Sequence, residues 1–340
     1  MTNRSMHWST EEGKHHPFLL RPVGKDYLWG GSRLNDDFAK GIDLSPLAET
    51  WECSTHPDGP SLVASGQFKG QRLDDVLKAH PEFLGTHPAV PGELPILIKF
   101  IDARQNLSVQ VHPTDDYAWS HENHRMGKTE MWYVLDAAKD ARVVYGLRRG
   151  MDRQSLRRSI ENGTVEKYLQ TVPVHKDDLF YIEAGTIHAI GAGVLLAEIQ
   201  ENSNLTYRLY DYNRTGKDGR QRRLHIEKAL DVANLRASAE PRQPLRVLKY
   251  RPGCASELLC RCKYFEVYRM LVNTERCRKL VGYQSDSSSF RVLLCTDGCG
   301  CVNFGDDQSI LFFKGDCVFV PADSVKLRIH GKATFLDVRG

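Results

Sequence analysis

The sequence lacks any apolar run of about 18 residues, the length that a membrane-spanning helix requires. Its first segment, MTNRSMHWSTEEGKHH, is polar and lacks the apolar centre of a signal peptide. We therefore expect a protein that stays in the cytoplasm and has no membrane partner.

A strong charge excess is also absent. The formal net charge is +3, from 46 Lys and Arg residues against 43 Asp and Glu residues. Nucleic-acid-binding proteins usually carry a marked basic patch, often with interleaved aromatic residues or a helix-turn-helix motif. The five arginines between positions 148 and 158 have the spacing of a solvated helix face and no interleaved aromatics. We therefore expect no nucleic-acid partner.

Cysteine is nearly absent from the first half of the chain, where only Cys53 occurs, while eight cysteines lie between 254 and 317. An odd total without an export signal indicates reduced thiols rather than a disulfide framework. Two CxC pairs occur, at 260/262 and 299/301, but their spacing does not match the CxxC pattern of zinc sites. We interpret these cysteines as small apolar residues on strands.

Most of the sequence reads as short strands. Apolar runs rich in Val, Ile, Leu, Phe and Tyr are separated by Gly, Pro, Asn and Asp, which is typical of β-structure. The clearest runs are ELPILIKFI, EMWYVLD, ARVVYGL, DLFYIEA and VLLAEIQ. Helical periodicity appears in RLDDVLKAHPEFL, MDRQSLRRSIENGTVEKYLQ and IEKALDVANL. The fold class is therefore expected to be dominated by β-strands, with a few short helices.

A length of 340 residues exceeds that of a usual single core and favours two domains. Residues 237–246 carry Pro, Ala, Ser and charge without periodicity and are predicted to form a linker. We expect one domain at 1–240, with the helices inserted in it, and a second β-domain at 247–340. KGDCVFVPA in the second resembles a turn of cupins, so we expect two cupin-type jelly-roll modules. Among obvious metal ligands the second module has only His330, so we expect no complete metal site there and a stabilising role.

Polar residues alternate with apolar ones in two of the predicted strands. In KFIDARQNLSVQVHP, the side chains of Ser108, Gln110 and His112 share one face, because a strand directs every second side chain to the same side. In GKTEMWYV, Lys128 and Glu130 share a face in the same way. Both strands therefore direct polar groups toward the interior of a β-domain.

A third segment, DLFYIEAGTIHAIG, adds His188 after a Gly-Thr turn. Gln110, His112, Glu130 and His188 together form an N/O set suited to a divalent metal with an open position. Any one of them alone would more often be a hydrogen-bonded or surface residue. Four such groups on apolar strands would cost free energy unless they were paired or bound, so we predict a metal site.

The order of SVQVHP, GKTEMWYV, AGTIHAIG and LLAEIQENSNLTYRLYDYNR resembles type I phosphomannose isomerase, in its short bacterial form. The likeness begins near FLLRPVGKDYLWGG and reaches LHIEKALDV, about two thirds of the chain. Members interconvert mannose 6-phosphate and fructose 6-phosphate with zinc, so the resemblance implies an isomerase with one Zn²⁺ per chain, although the ligand set also accepts other divalent metals. One position departs from the family pattern: Glu183 stands where proline usually precedes Ala-Gly-Thr.

The resemblance also implies site roles. It indicates Glu198 as the base that removes the C2 proton, while Lys128 could donate a proton or stabilise charge on oxygen. The sequence does not decide whether Glu198, Lys128 or a ligand-side histidine performs the transfer. Arg208 is the candidate cation for the enediolate or the phosphate. Ser108 and Lys99 match family positions implicated in phosphate binding, but Lys99 could equally be a surface lysine. No single residue of the basic loop RTGKDGRQRRLH is assigned to the site.

Two other functions remain open. A non-catalytic sugar-phosphate-binding cupin protein would keep the metal ligands but would have no use for Glu198 and Arg208. A cupin metal oxygenase would normally use two His and one carboxylate with open positions for oxygen, and Gln110 as a fourth ligand argues against that class.

Overall fold

A computed structural model describes residues 13–88, 91–216, 218–239, 241, 243–277, 279–305 and 307–340. Most of the polar first segment therefore lies outside the described residues, as do positions 240 and 242 of the predicted linker. The described chain is built mainly from antiparallel strands, which confirms the predicted β-dominated, cupin-like class.

The first thirteen strands, β1 to β13 in chain order, are Phe18–Arg21, Val23–Lys25, Glu49–Cys53, Leu62–Val63, Ile96–Ala103, Val109–Val111, Glu130–Ala137, Arg142–Leu147, Leu169–Pro173, Leu179–Ile182, His188–Ile190, Val194–Glu201 and Tyr207–Tyr210. The remaining strands, β14 to β21, are Lys249–Arg251, Cys254–Arg261, Glu266–Asn273, Val281–Tyr283, Arg291–Phe304, Gln308–Phe313, Cys317–Val320 and Leu327–Arg339.

The described part of the chain has five short α-helices, α1 to α5, at Arg33–Asp36, Leu73–Ala79, Asp115–His121, Arg153–Glu161 and Ile226–Val232. Two 3-10 helices lie at Pro81–Leu84 and Val165–Tyr168. The three helical segments expected from periodicity contain α2, α4 and α5, whereas α1 and α3 were not expected. Within the described residues, no helix is long and apolar enough to cross a membrane.

Two sheets frame the interior of the first half of the chain. One has six strands in the order β10-β7-β12-β5-β3-β2, and the other has five in the order β13-β6-β11-β8-β9. Their facing side chains form a core around Trp29, Trp132 and Ile190. The other face of the five-stranded sheet packs against α4 and α5 through Leu156 and Leu230. The polar residues predicted to share faces thus lie between two sheets.

A third sheet of ten strands contains β14 to β21 and also β1 and β4 from the start of the chain. Its path runs β14-β15-β16-β21-β18-β20-β1-β4, with β17 on β21 and β19 on β18. Both faces of this sheet carry apolar side chains. One joins the core that includes Phe100 and Met131 of the six-stranded sheet, and the other forms a separate core around Phe312 and Phe335. Strand β1 pairs with the C-terminal strand β20, so residues of both predicted domains share this sheet. The predicted domain boundary between residues 240 and 247 stays a prediction.

Candidate metal centre and adjoining pocket

Strand pairing brings the predicted ligands from distant sequence positions to one place. In the five-stranded sheet, His188 pairs with Gln110, and Gln110 pairs with Arg208 on its other side. In the six-stranded sheet, Glu130 pairs with Gln200, two positions along β12 from Glu198. The two sheets face each other, so that the site receives side chains from both.

His112, Glu130 and His188 form a tight, fully enclosed group. Their ligand atoms all lie within 4.8 Å of one another. Nε2 of His112 is 3.4 Å from one Glu130 oxygen, and Nε2 of His188 is 3.4 Å from the other. Each of the three residues is at most 1% exposed. Three of the four predicted ligands therefore converge.

The donor atoms of this group suit a bound cation. Neither ring nitrogen of His112 has a hydrogen-bond partner among the described residues, although the side chain is buried, and leaving such groups unpaired costs free energy. Nδ1 of His188 lies 2.8 Å from the Thr186 carbonyl. That contact fixes the proton on Nδ1 and leaves the Nε2 lone pair for a metal, as is common for histidine ligands. The group is thus a candidate divalent metal site.

Electrostatics keep the three side chains in the protonation states that metals require. Burial, with the nearby Lys128 ammonium, lowers the pKa of His112 to about 3. Burial also lowers the pKa of His188. Burial opposes ionisation of Glu130, but Lys128 and the two imidazoles outweigh it, and the pKa of this carboxyl lies well below its usual value. Neutral imidazoles and an ionised carboxylate are metal-binding forms.

Gln110, the fourth predicted ligand, borders the group. Its amide nitrogen is 3.4 Å from Nε2 of His188. A half-turn of the amide exchanges nitrogen and oxygen, which places the oxygen toward the same imidazole nitrogen. Gln110 also lines the pocket beside the three buried ligands. It therefore lies next to the buried group, at its border with the pocket, in the place of a fourth ligand.

A pocket of about 270 Å³ opens next to the metal group. All the remaining predicted site residues line it, namely Lys99, Ser108, Lys128, Glu198 and Arg208. The lining is strongly polar and combines carboxylates with lysines and arginines. Such a pocket suits a small, anionic, hydroxyl-rich ligand better than an apolar one.

Glu198 lies in the middle of a charged network. One carboxylate oxygen is 3.2 Å from Nζ of Lys99 and 3.9 Å from Nζ of Lys128. The other accepts a hydrogen bond of 3.0 Å from the indole of Trp132. Burial and the neighbouring Glu130 raise the pKa of Glu198, against the effect of the two lysines. A carboxylate with a raised pKa is a better proton acceptor near neutral pH.

Lys99 is not a surface lysine, and that interpretation of the sequence was wrong. Its side chain is 4% exposed and lies between two carboxylates, Glu198 at 3.2 Å and Glu49 at 3.6 Å. Its charge is balanced within the network, since burying an unpaired ammonium would be costly. Lys99 therefore orients Glu198 and still reaches the pocket.

Three residues of the site were missed by sequence reasoning. Trp132 donates its indole N–H to both Glu130 and Glu198, at 3.0 Å each.

Glu49 accepts a hydrogen bond of 2.7 Å from the indole of Trp51 and faces Lys99. Arg222, from the basic loop in which no residue was assigned, lines the pocket. The signal for Glu49 was a glutamate within the buried run ETWEC.

Arg208 and Arg222 both line the pocket, and each is held by other polar groups. Arg208 donates to Ser108 Oγ at 3.2 Å and to the Arg223 carbonyl at 3.0 Å. Arg222 donates to both oxygens of Asp211, at 2.7 and 2.6 Å. These contacts fix both guanidinium groups before any ligand arrives, which reduces the entropy cost of binding an anion.

The turn before His188 forms despite Glu183. The Thr186 amide donates to the Glu183 carbonyl at 3.0 Å, and Gly185 has a positive φ of 91°. Only glycine adopts such a backbone conformation without strain. The Gly185 amide also donates to the His112 carbonyl at 2.9 Å, so that the turn holds two ligand segments together.

Comparison with known proteins gives the family. Residues 18–140 match the model of the phosphomannose isomerase type I catalytic domain. The mannose-6-phosphate isomerase ManA of Bacillus subtilis is 35% identical over 93% of this chain and 96% of its own length. The mannose-6-phosphate isomerase of Streptococcus mutans is 37% identical over 90% of this chain and 92% of its own.

A solved structure agrees with the sequence comparison. The mannose 6-phosphate isomerase from Bacillus subtilis superposes with a TM-score of 0.87 at 32% identity, covering 96% of this chain and 100% of that one. Similarity at this level extends over both halves of the fold, including the ten-stranded sheet. The chain therefore belongs to the type I phosphomannose isomerase family.

Proposed function

We propose that the protein interconverts mannose 6-phosphate and fructose 6-phosphate. The observation that carries this proposal is the buried His112, Glu130 and His188 group beside a polar pocket with a carboxylate base candidate and several fixed cations. Family membership supports the same reaction, since the relatives are named for it. The expected cytoplasmic location stays a prediction.

Zn²⁺ is the proposed metal, held by His112, Glu130 and His188 with Gln110 as the fourth ligand. One such cation per chain would supply a Lewis acid that stabilises negative charge on the substrate oxygens without redox change. Imidazole, carboxylate and amide ligands also accept manganese, iron or cobalt, so the donor set alone does not select the metal.

Aldose–ketose conversion moves a proton from C2 to C1 and a hydroxyl proton from O2 to O1, through an enediolate. We assign the carbon-bound proton to Glu198, because its carboxylate is fixed by Trp132 and Lys99 and lines the pocket. We assign to Lys128, whose Nζ lies 2.9 Å from Glu130, the role of stabilising charge on an oxygen or of donating a proton during ring opening. A positioned acid or base typically contributes about 100- to 10,000-fold in rate.

We assign the phosphate of the substrate to the part of the pocket that is lined by Arg208, Ser108 and Arg222. Arg208 with Ser108, and Arg222, offer fixed donors there, and guanidinium forks suit anionic oxygens. Lys99 contributes to the same pocket as a buried cation, with most of its charge balanced by Glu49 and Glu198.

The experiment is a coupled assay for fructose 6-phosphate formation by the purified protein, before and after chelation and after zinc is restored. We expect activity that disappears with the metal and returns with it. A non-catalytic sugar-phosphate-binding protein would instead retain ligand binding without any turnover, and an oxygenase would consume oxygen with a different substrate. Either result would contradict the proposal.

A further inference from the structure

A second pocket lies in the ten-stranded sheet and shares no lining residue with the first. Its volume is about 930 Å³, more than three times the 270 Å³ of the pocket beside the metal ligands. It is formed by residues of β14 to β18, by β21 and by the segments next to them. Clefts of this size commonly hold ligands larger than a single sugar.

The second pocket is strongly basic. Two acidic side chains line it, Glu266 and Asp337, against six cationic ones, namely Arg251, Arg261, Arg291, Lys326, Arg328 and Arg339. The local excess is four positive charges, whereas the entire chain carries a net charge of only +3. A cleft lined by one sign of charge focuses the field and attracts ligands of the opposite sign.

The inner part of the pocket is a fixed hydrogen-bonded cluster. Asp337, 5% exposed, accepts two hydrogen bonds from Arg291, at 2.9 and 2.6 Å, and one of 2.8 Å from the Tyr283 hydroxyl. Strand pairing places Tyr268 directly opposite Asp337 and Tyr283 opposite Leu327. The cluster is therefore set by the fold and does not need a ligand to form.

Among the outer cations, Arg261 pairs with Glu266, whereas three other arginines are less compensated. Arg251 donates to the Gly282 carbonyl at 3.1 Å, and Arg339 donates to the Ser288 hydroxyl at 2.5 Å. Arg251, Arg328 and Arg339 form no ion pair with any carboxylate of the described chain. Arginines that keep their charge without an acidic partner are suited to phosphate oxygens, which guanidinium groups bind through two parallel hydrogen bonds.

We propose that this pocket binds a small molecule carrying more than one phosphate group, of the nucleoside diphosphate class. The charge excess calls for more than one anionic group, and the volume leaves room for a ring system beyond the phosphates. Tyr268 and Tyr283 supply the aromatic surface for that ring. The site is separate from the metal centre, and the proposal does not depend on the isomerase reaction.

The test is titration calorimetry of the full-length, metal-loaded protein with ADP, pyrophosphate, inorganic phosphate and adenosine. The pocket variant carries Arg251→Gln with Arg328→Gln. The matched control carries Lys279→Gln with Lys332→Gln, two exposed cations of the same sheet region that do not line the pocket. Arg208→Gln serves as the control for the first pocket, and thermal unfolding checks that each variant is folded.

We expect ADP to bind at one site per chain, more tightly than inorganic phosphate. The pocket variant should weaken that binding about tenfold or more, and the Lys279/Lys332 and Arg208 variants should leave it unchanged. The absence of ADP binding, an equal loss in the Lys279/Lys332 control, or a loss in Arg208→Gln would overturn the proposal. Equal affinity for ADP and inorganic phosphate would also overturn the proposal. The same holds if a single-stranded oligonucleotide binds more tightly than ADP and the pocket variant abolishes that binding.

Discussion

Glu130 and Glu198 both accept a hydrogen bond from the indole of Trp132. This arrangement connects the candidate metal ligands to the proposed base. Trp132 donates to both carboxylates, and Lys128 lies 2.9 Å from one of them and 3.9 Å from the other. Strand alternation is sufficient to predict that Lys128, Glu130 and Trp132 share a face. It does not predict that the indole N–H would join two carboxylates, because that depends on how β7 is paired with β12.

Replacement of Glu198 by glutamine tests its role as the base. The amide keeps the size of the side chain and one acceptor oxygen but cannot accept the C2 proton, so exchange of that proton with solvent deuterium should fall by about 100- to 10,000-fold. Bound metal should stay at the wild-type level, because Glu198 is not among the proposed ligands. The exposed Glu227→Gln on α5 is the matched control. Undiminished exchange would remove Glu198 from the base assignment.

Replacement of Trp132 by phenylalanine tests a positioning role. The ring is largely conserved in volume, but the donor to Glu130 and Glu198 is lost. Removing a partner that orients a ligand typically lowers metal affinity about 10- to 100-fold. Competition with a chelator measures the affinity, and Trp119→Phe, at a position 60% exposed, controls for the substitution. If Trp132→Phe kept the wild-type metal affinity and only its thermal stability were lower, the indole would contribute to packing and not to ligand orientation.

Among the elements, helix α3 connects the part of the chain that holds the candidate metal group to the C-terminal sheet. Its first residue, Asp115, accepts hydrogen bonds from the Tyr264 hydroxyl at 2.8 Å and from Lys263 at 3.2 Å. Asp115 also contacts Glu201 at the end of β12. Burial and this neighbour raise the pKa of Glu201 to about 8. The contacts of α3 with the C-terminal sheet could not be predicted from alternation, because Lys263 and Tyr264 lie nearly 150 residues from Asp115 in the sequence.

The raised pKa of Glu201 predicts a pH dependence of stability. A carboxyl whose folded-state pKa lies near 8, above its usual value of 4.5, contributes stability that is complete below about pH 4.5 and is lost as the pH rises through about 8. Glu201→Gln cannot ionise, so its melting temperature should fall less than that of the wild type between about pH 6 and about pH 9. The exposed Glu161→Gln should follow the wild type. If the melting temperatures of the wild type and Glu201→Gln changed with pH in parallel, this account of the contact between Glu201 and Asp115 would be contradicted.

For the molecule as a whole, the first and last parts of the chain share one sheet. β1 pairs with β20, and the rings of Phe18 and Phe319 stack at 5.2 Å. The apolar face of this sheet forms a common core with the six-stranded sheet that carries Glu130 and Glu198. The β-class and the strand runs were predictable from alternation and turn residues. The pairing of β1 with β20 was not, because pairing across some 300 residues leaves no periodic signal in the sequence.

A fragment that ends at residue 246 should therefore not fold independently. It would lose the partner of β1 and would expose the apolar outer face of the six-stranded sheet, which favours aggregation. We expect no cooperative thermal transition and no metal binding by this fragment. Co-expression with residues 247–340 serves as the control and should restore both. A cooperative transition with stoichiometric metal in the isolated fragment would show that the first 246 residues form an independent domain.

The most direct measurement of the central claim is anomalous diffraction at the zinc edge from crystals of the zinc-loaded protein. The account predicts one strong peak per chain, about 2.0 to 2.2 Å from the His112 and His188 nitrogens and a Glu130 oxygen, with Gln110 as the remaining protein ligand. A fully active crystal with no peak among these side chains, or with its zinc bound elsewhere, would contradict it.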